Sequence, residues 1–217
     1  MNNASTHQEN SADGSFSARE YFLGIAREIM ASRENAHIAL PGKGEVYLFP
    51  RSEEYHANIP DMEDFCLTPA SRFKVTVLGD ARGEVAPGAG RHVSDLLWQA
   101  AFHASGGGLI EGCSKYDVVQ FLRWPNLTRL PKTPNTMRIC ALLTRYPMTI
   151  MLVHRKLGID KKELYQTYSA AYCAGLTNIV GRAGQDAAHD KVAETVAEEP
   201  AQQHNLFHSL FAKIKGL

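Results

Sequence analysis

The stretch TIMLVHRKLGIDKKELYQTYSAAYCAGL, residues 149–176, constrains the fold more than any other part of the chain. Thr149 stands where a helix N-cap belongs, and Gly158 where a left-handed helix stop belongs. Asp160 and Glu163 then open a second helix with a D-x-x-E box. Leu164, Tyr168, Ala171 and Gly175 recur at i, i+4, i+7 and i+11, the spacing of one buried stripe. Two short helices joined at Gly158 follow, with Ile159 pointing inward.

The surrounding charge is uneven. The formal net charge of the whole chain is +0, but the segments 1–120, 121–180 and 181–217 carry about −6, +7 and −1 when Lys, Arg, Asp and Glu are counted. A basic module between acidic ones suits a polyanionic partner or docking of the segments on one another. A hydrophobic share of 44% and a charged share of 21% are those of an ordinary globular chain. With 217 residues, one large domain or two small ones can bury a core without staples.

Before the helix pair the hydrophobic period is two. HIAL, EVYLF, DFCLT and FKVTVL read as short strands, with Phe73, Val75 and Val77 on one side of the last. The polar stretch RSEEYHANIPDME reads as a loop between them. Ser17 and Glu20 form an S-x-x-E box with Phe16 and Tyr21 as a hydrophobic staple, so a helix is expected from there to about Ser32. Ser94 is expected to cap a further helix, DLLWQAAFHAS, closed by Gly106 to Gly108. Segments around Leu109 and Val118 have strand character, and Pro125, Pro131 and Pro134 then exclude regular structure for about ten residues. A helix at TMRICALLTR precedes the quoted pair, and TNIV follows it as a strand.

The expected class is α+β. A disordered arm covers 1–15, an N-terminal helix with a small antiparallel sheet 16–120, and a helix-turn-helix module 121–182. A linker or weak helix spans 183–204, and an amphipathic tail helix 205–217. In that tail Leu206, Phe207, Leu210, Phe211 and Ile214 share one face, which is expected to bind a partner or a second copy.

With TMRICALLTR in front, the pair of helices resembles the winged helix-turn-helix superfamily over residues 136–180. That resemblance implies DNA binding, with the second helix in the major groove. It places Lys161, Lys162, Gln166 and Thr167 at the groove and Arg155, Lys156, Arg129 and Lys132 on neighbouring phosphates. Three departures stand out. His154 occupies a position usually held by a small residue and Ala171 is small where a large apolar residue is common; Glu163 stands near the expected phosphate surface, where a carboxylate is repelled, though capping its own helix accounts for it; and no β-like return strand follows GRAG. The same module also serves protein binding, and Tyr165 and Tyr172 favour that use. The alternative function is therefore an adaptor in bacterial signalling, with a fainter similarity to modules found near roadblock and small-GTPase systems.

No enzyme motif is present. The glycines fit neither a P-loop nor a dinucleotide fingerprint, and SEEYH with Asp61, Glu63 and Asp64 lacks helix-spaced metal ligands. His103 and Cys113 could be cast as base and nucleophile, but nothing in the sequence brings them together. The four cysteines are widely spaced and read as reduced, mostly buried thiols. No cofactor, metal or catalytic residue is expected. The N-terminus has no secretion signal and no segment reaches a membrane-spanning length, so the expectation is a cytoplasmic regulatory protein, dimeric if the tail is exchanged.

Overall fold

The computed structural model of the chain describes residues 14–79 and 90–182. The greater part of the N-terminal arm, most of the DARGEVAPGAGR loop, the linker and the tail helix with Leu206, Phe207, Leu210, Phe211 and Ile214 lie outside the described residues.

The chain is α+β. In order, it forms β1 (Ser15–Phe16), α1 (Phe22–Ser32), β2 (Ala36–Leu40), β3 (Gly44–Phe49) and β4 (Glu54–Asn58). There follow α2 (Met62–Leu67), β5 (Lys74–Val77), β6 (Arg91–His92), α3 (Val93–Ser105) and β7 (Leu109–Ile110). The second half contains β8 (Val118–Phe121), α4 (Thr136–Arg145), β9 (Met148–Thr149), α5 (Ile150–Leu157), α6 (Lys161–Cys173) and β10 (Thr177–Gly181).

Strands β5, β2, β3, β4 and β6 pair in that order into an antiparallel sheet. Alternation along β2 and β3 sends Ile38, Leu40, Val46 and Leu48 into the core, while His37 and Tyr47 stack on each other on the opposite face. Phe22 of α1 packs edge-on against Phe65 of α2, and both meet Phe73 just before β5. Parallel pairing of β1 with β7 ties the N-terminal segment to the end of α3.

Three local expectations are corrected. Ser17 makes no side-chain cap; Ala18–Glu20 is a 3-10 turn, and α1 starts only at Phe22. The cause is close packing: a Cβ on Gly24 would lie 2.7 Å from the Ala18 carbonyl oxygen, so the helix and the turn before it are pressed together. DFCLT lies not in a strand but in α2 and the residue after it, because Asp61 accepts from the Asp64 amide at 3.0 Å and so starts a helix. The residues read as a loop in RSEEYHANIPDME supply β4 instead. Its only large apolar side chain, Tyr55, points inward, which left too little alternation to see.

The second sheet is β10-β8-β9, antiparallel throughout. Its middle strand, β8, comes from before α4 in the chain. By pairing, β8 joins the strands of the second half, and the boundary at residue 121 falls on its last residue. Buried side chains from both halves join in one continuous cluster, from Phe22 and Trp98 to Ile139 and Tyr168. Trp98 reinforces the join, since its indole N–H donates to the Pro131 carbonyl at 2.9 Å.

Candidate functional site

The two helices of the opening stretch form as their caps dictate. The Thr149 hydroxyl accepts from the Leu152 amide at 3.2 Å, and Gly158 takes φ 61°, a left-handed conformation natural to glycine. The Asp160 carboxylate accepts from the Lys162 amide at 3.0 Å, starting α6. Glu163 does not close the box; it accepts from the Asn135 side-chain amide at 2.8 Å, joining α6 to the start of α4. His154 stands where a small residue is common and has a specific use. Its Nδ1 donates to the Ile159 carbonyl at 2.6 Å, which fixes the turn around Gly158.

What α6 touches is mainly α3. Among the described residues these two helices make the most extensive contact between any pair of elements. Small side chains permit the approach: Ala100, Ala101 and Ala104 of α3, and Ser169, Ala170 and Ala171 of α6, are all buried. Beyond its first turn, the polar side chains Gln166, Thr167 and Ser169 of α6 are satisfied within the protein. Ser169 Oγ accepts from the Ile110 amide at 3.0 Å and donates to the Gly108 carbonyl at 3.3 Å. A Cβ on Gly107 would meet Lys162 Cβ at 2.9 Å, so the backbone after α3 lies directly against the first turn of α6.

This arrangement separates the expected DNA-facing residues. Gln166 donates its amide to the Phe102 carbonyl at 3.0 Å. Thr167 is 0% exposed, and its hydroxyl bonds that of Thr136 at 3.0 Å. Neither side chain faces a groove, because the side of α6 that would enter one is packed in the core. Lys161 and Lys162 are exposed on the first turn, as are Arg155 and Lys156 at the end of α5. Arg129 and Lys132 are exposed in the proline-rich segment, where the Lys132 ammonium donates to the Leu127 carbonyl at 3.0 Å. Tyr165 is buried and Tyr172 half-buried, so the tyrosines do not form an exposed aromatic surface. Sequence reasoning missed Arg138, whose guanidinium donates to the Leu157 carbonyl at 3.1 Å and to Asn135 Oδ1 at 2.8 Å, capping α5 from α4.

It also missed a group of open apolar side chains near the second sheet. Leu122 is 63% exposed, Trp124 49% and Val180 56%. The Leu122 amide donates to the Leu176 carbonyl at 2.8 Å, extending the β8 to β10 ladder by one step. By the alternation of an antiparallel ladder, the backbone groups of Thr177 and Ile179 then face the outer side of β10, which no other described strand pairs with. That strand, TNIVG, contains none of the charges or prolines that commonly blunt an edge. The available signal was the LRW run directly after a buried Phe121, where alternation turns Leu122 outward.

The thiols are placed for packing. Burial pushes Cys66, Cys140 and Cys173 up to about 12, and it also raises Cys113, which accepts from the Tyr168 hydroxyl at 3.7 Å. His103 is held below its ordinary value by burial. At pH 8 a group at about 12 is ionised in roughly one molecule in ten thousand, against about a quarter for a free thiol. Native protein should therefore release at most one equivalent from Ellman's reagent within minutes, at Cys113, and all four cysteines should react in denaturant. Fast reaction of two or more in native buffer would contradict this placement.

No protein-family model, curated protein or solved structure matches this chain.

Proposed function

We propose that this chain is a non-enzymatic adaptor that holds a protein partner on the open side of its second sheet. The observation that carries the reading is the exposed pair Leu122 and Trp124, of which Leu122 continues the β8 to β10 ladder, together with the uncharged outer side of β10 that no other described strand pairs with. Large apolar side chains left in water next to unpaired backbone groups are what a partner's side chains and strand can cover, and tryptophan is enriched among residues that dominate such contacts. Two tryptophans are present, and they report separately: Trp98 is buried, Trp124 exposed.

A second reading, DNA binding, is supported by the exposed cations Arg155, Lys156, Lys161 and Lys162. With Gln166 and Thr167 engaged inside the protein, this would be phosphate contact without base readout through α6.

One experiment separates the two. Wild type, Leu122→Ser/Trp124→Ser and Lys161→Glu/Lys162→Glu are compared for proteins retained from a cell extract and for anisotropy with labelled duplex DNA. The salt range is about 50 to 200 mM, over which phosphate-driven affinity falls steeply. The adaptor reading expects a retained protein that survives the lysine substitutions, is lost with Leu122 and Trp124, and shields Trp124 from acrylamide when purified and added back. Salt-sensitive DNA binding that disappears only with the lysines would replace it with the second reading.

A further inference from the structure

The β5 end of the first sheet is complementary to itself in both backbone and sequence. Among the described residues, strand β5 pairs with β2 on one side only, and all four of its residues are exposed, with Val75 at 47% and Val77 at 58%. Register with β2 sets Val75 opposite Ile38 and Val77 opposite Ala36, both buried, so the two valines lie on the core side of the sheet beyond the point where it is covered. They extend the apolar face into solvent.

The backbone parity follows from one bond. The Leu78 amide donates to the Asn35 carbonyl at 2.8 Å, so residues 74, 76 and 78 turn their backbone groups toward β2. Val75 and Val77 therefore aim their N–H and C=O groups at the free edge. The sequence there, Val75-Thr76-Val77, reads the same in both directions.

We infer that β5 pairs antiparallel with β5 of a second copy of this chain, about a two-fold axis through Thr76, to make one continuous ten-stranded sheet from two five-stranded ones. In this register Val75 faces Val77 of the second copy, and each pair exchanges both backbone bonds. All four outward backbone groups of each edge are used, and the valines of both copies meet on the core side. A shift by one residue would set a valine of one copy opposite an outward-facing residue of the other and would mismatch the hydrogen bonds. Charge is compatible too. Lys74 falls opposite Leu78 of the second copy, so the two lysines stand at opposite ends of the pairing. The occupant is a second copy because both the parity and the side-chain pattern are symmetric about one residue, as an isologous contact requires. The paired segment is short against the ~1,600 Å² of a standard interface, so association belongs to the weak, concentration-dependent class.

The test uses the full chain. Sedimentation velocity from ~10 to ~1,000 µM, the range suited to a small interface, should show a monomer passing into a dimer. Val77→Pro removes one outward N–H without touching the β2 ladder, and should leave thermal unfolding cooperative while abolishing the dimer. The register is read by cysteine pairing. Thr76→Cys places two thiols at a non-hydrogen-bonded pair, with Cα atoms about 4.5 Å apart, inside the disulfide range. Val75→Cys places its two thiols diagonally, at about 7–8 Å between backbones, outside it. Diamide should therefore cross-link Thr76→Cys at least tenfold faster than Val75→Cys or wild type. A chain that stays monomeric at the highest concentration would overturn the proposal, as would a dimer unaffected by Val77→Pro or equal cross-linking of the two cysteine variants.

Discussion

Replacing Tyr168 with alanine is expected to lower the stability of the whole chain by about 3–5 kcal/mol, the range for deleting a large buried aromatic ring. Tyr168 is fully buried in α6, its ring lies tilted against Tyr172 at 6.0 Å, and its hydroxyl reaches Cys113. A loss of this size is a large share of the roughly 5–15 kcal/mol that holds a domain together. Urea unfolding followed by far-UV circular dichroism and by Trp98 fluorescence should shift to the same lower midpoint in both signals. Because Trp98 sits on α3 and bonds to Pro131, it reports the join between the halves. A shift confined to one signal, or a loss below about 1 kcal/mol, would mean that α6 is peripheral rather than a core helix.

The second large effect concerns a fragment. Residues 121–182, the module as bounded from the sequence, should show no cooperative unfolding and only weak helical signal. The fragment lacks Val118, Val119 and Gln120, so the middle strand between β9 and β10 is gone and neither outer strand has a ladder. It also lacks α3, leaving Tyr165, Tyr168, Ala170 and Ala171 without the helix that α6 packs on. The expected loss is complete, because a short chain stripped of cover cannot offset the entropy of ordering its backbone. A sharp, two-state urea transition in the fragment would show that α6 needs neither β8 nor α3.

Local chemistry was readable in the sequence where a residue acts on its near neighbours. Thr149, Gly158 and Asp160 cap and stop their helices through bonds spanning two to four residues, and such patterns survive in one dimension. The α+β class and the helix at Thr136–Arg145 were legible for the same reason. What stayed hidden depends on partners far along the chain. Gln166 bonds to residue 102, Thr167 to residue 136, and Ser169 to residues 108 and 110, so a helix side that reads as polar is an internal one. Strand β4 was hidden by polar residues on its outer face, and α2 by an apolar run too short to show its period. The exposed Leu122 and Trp124 were passed over because prolines nearby marked the segment only as irregular. The candidate DNA contacts follow from the resemblance of α6 to a recognition helix, whereas its packing on α3 rests on residues far along the chain that the resemblance does not cover.

The central claim is that α6 is an internal helix shared by both halves. Native-state hydrogen exchange on the full chain tests it most directly, since it gives an opening free energy for each helix separately. Amides of α3 from Leu96 to Phe102 and of α6 from Leu164 to Ala171 should be the slowest to exchange. Both sets should share one opening free energy, equal to that of global unfolding. Exchange of the α6 amides through a separate opening, several kcal/mol below that of α3, would contradict the account and free the helix for a partner of its own.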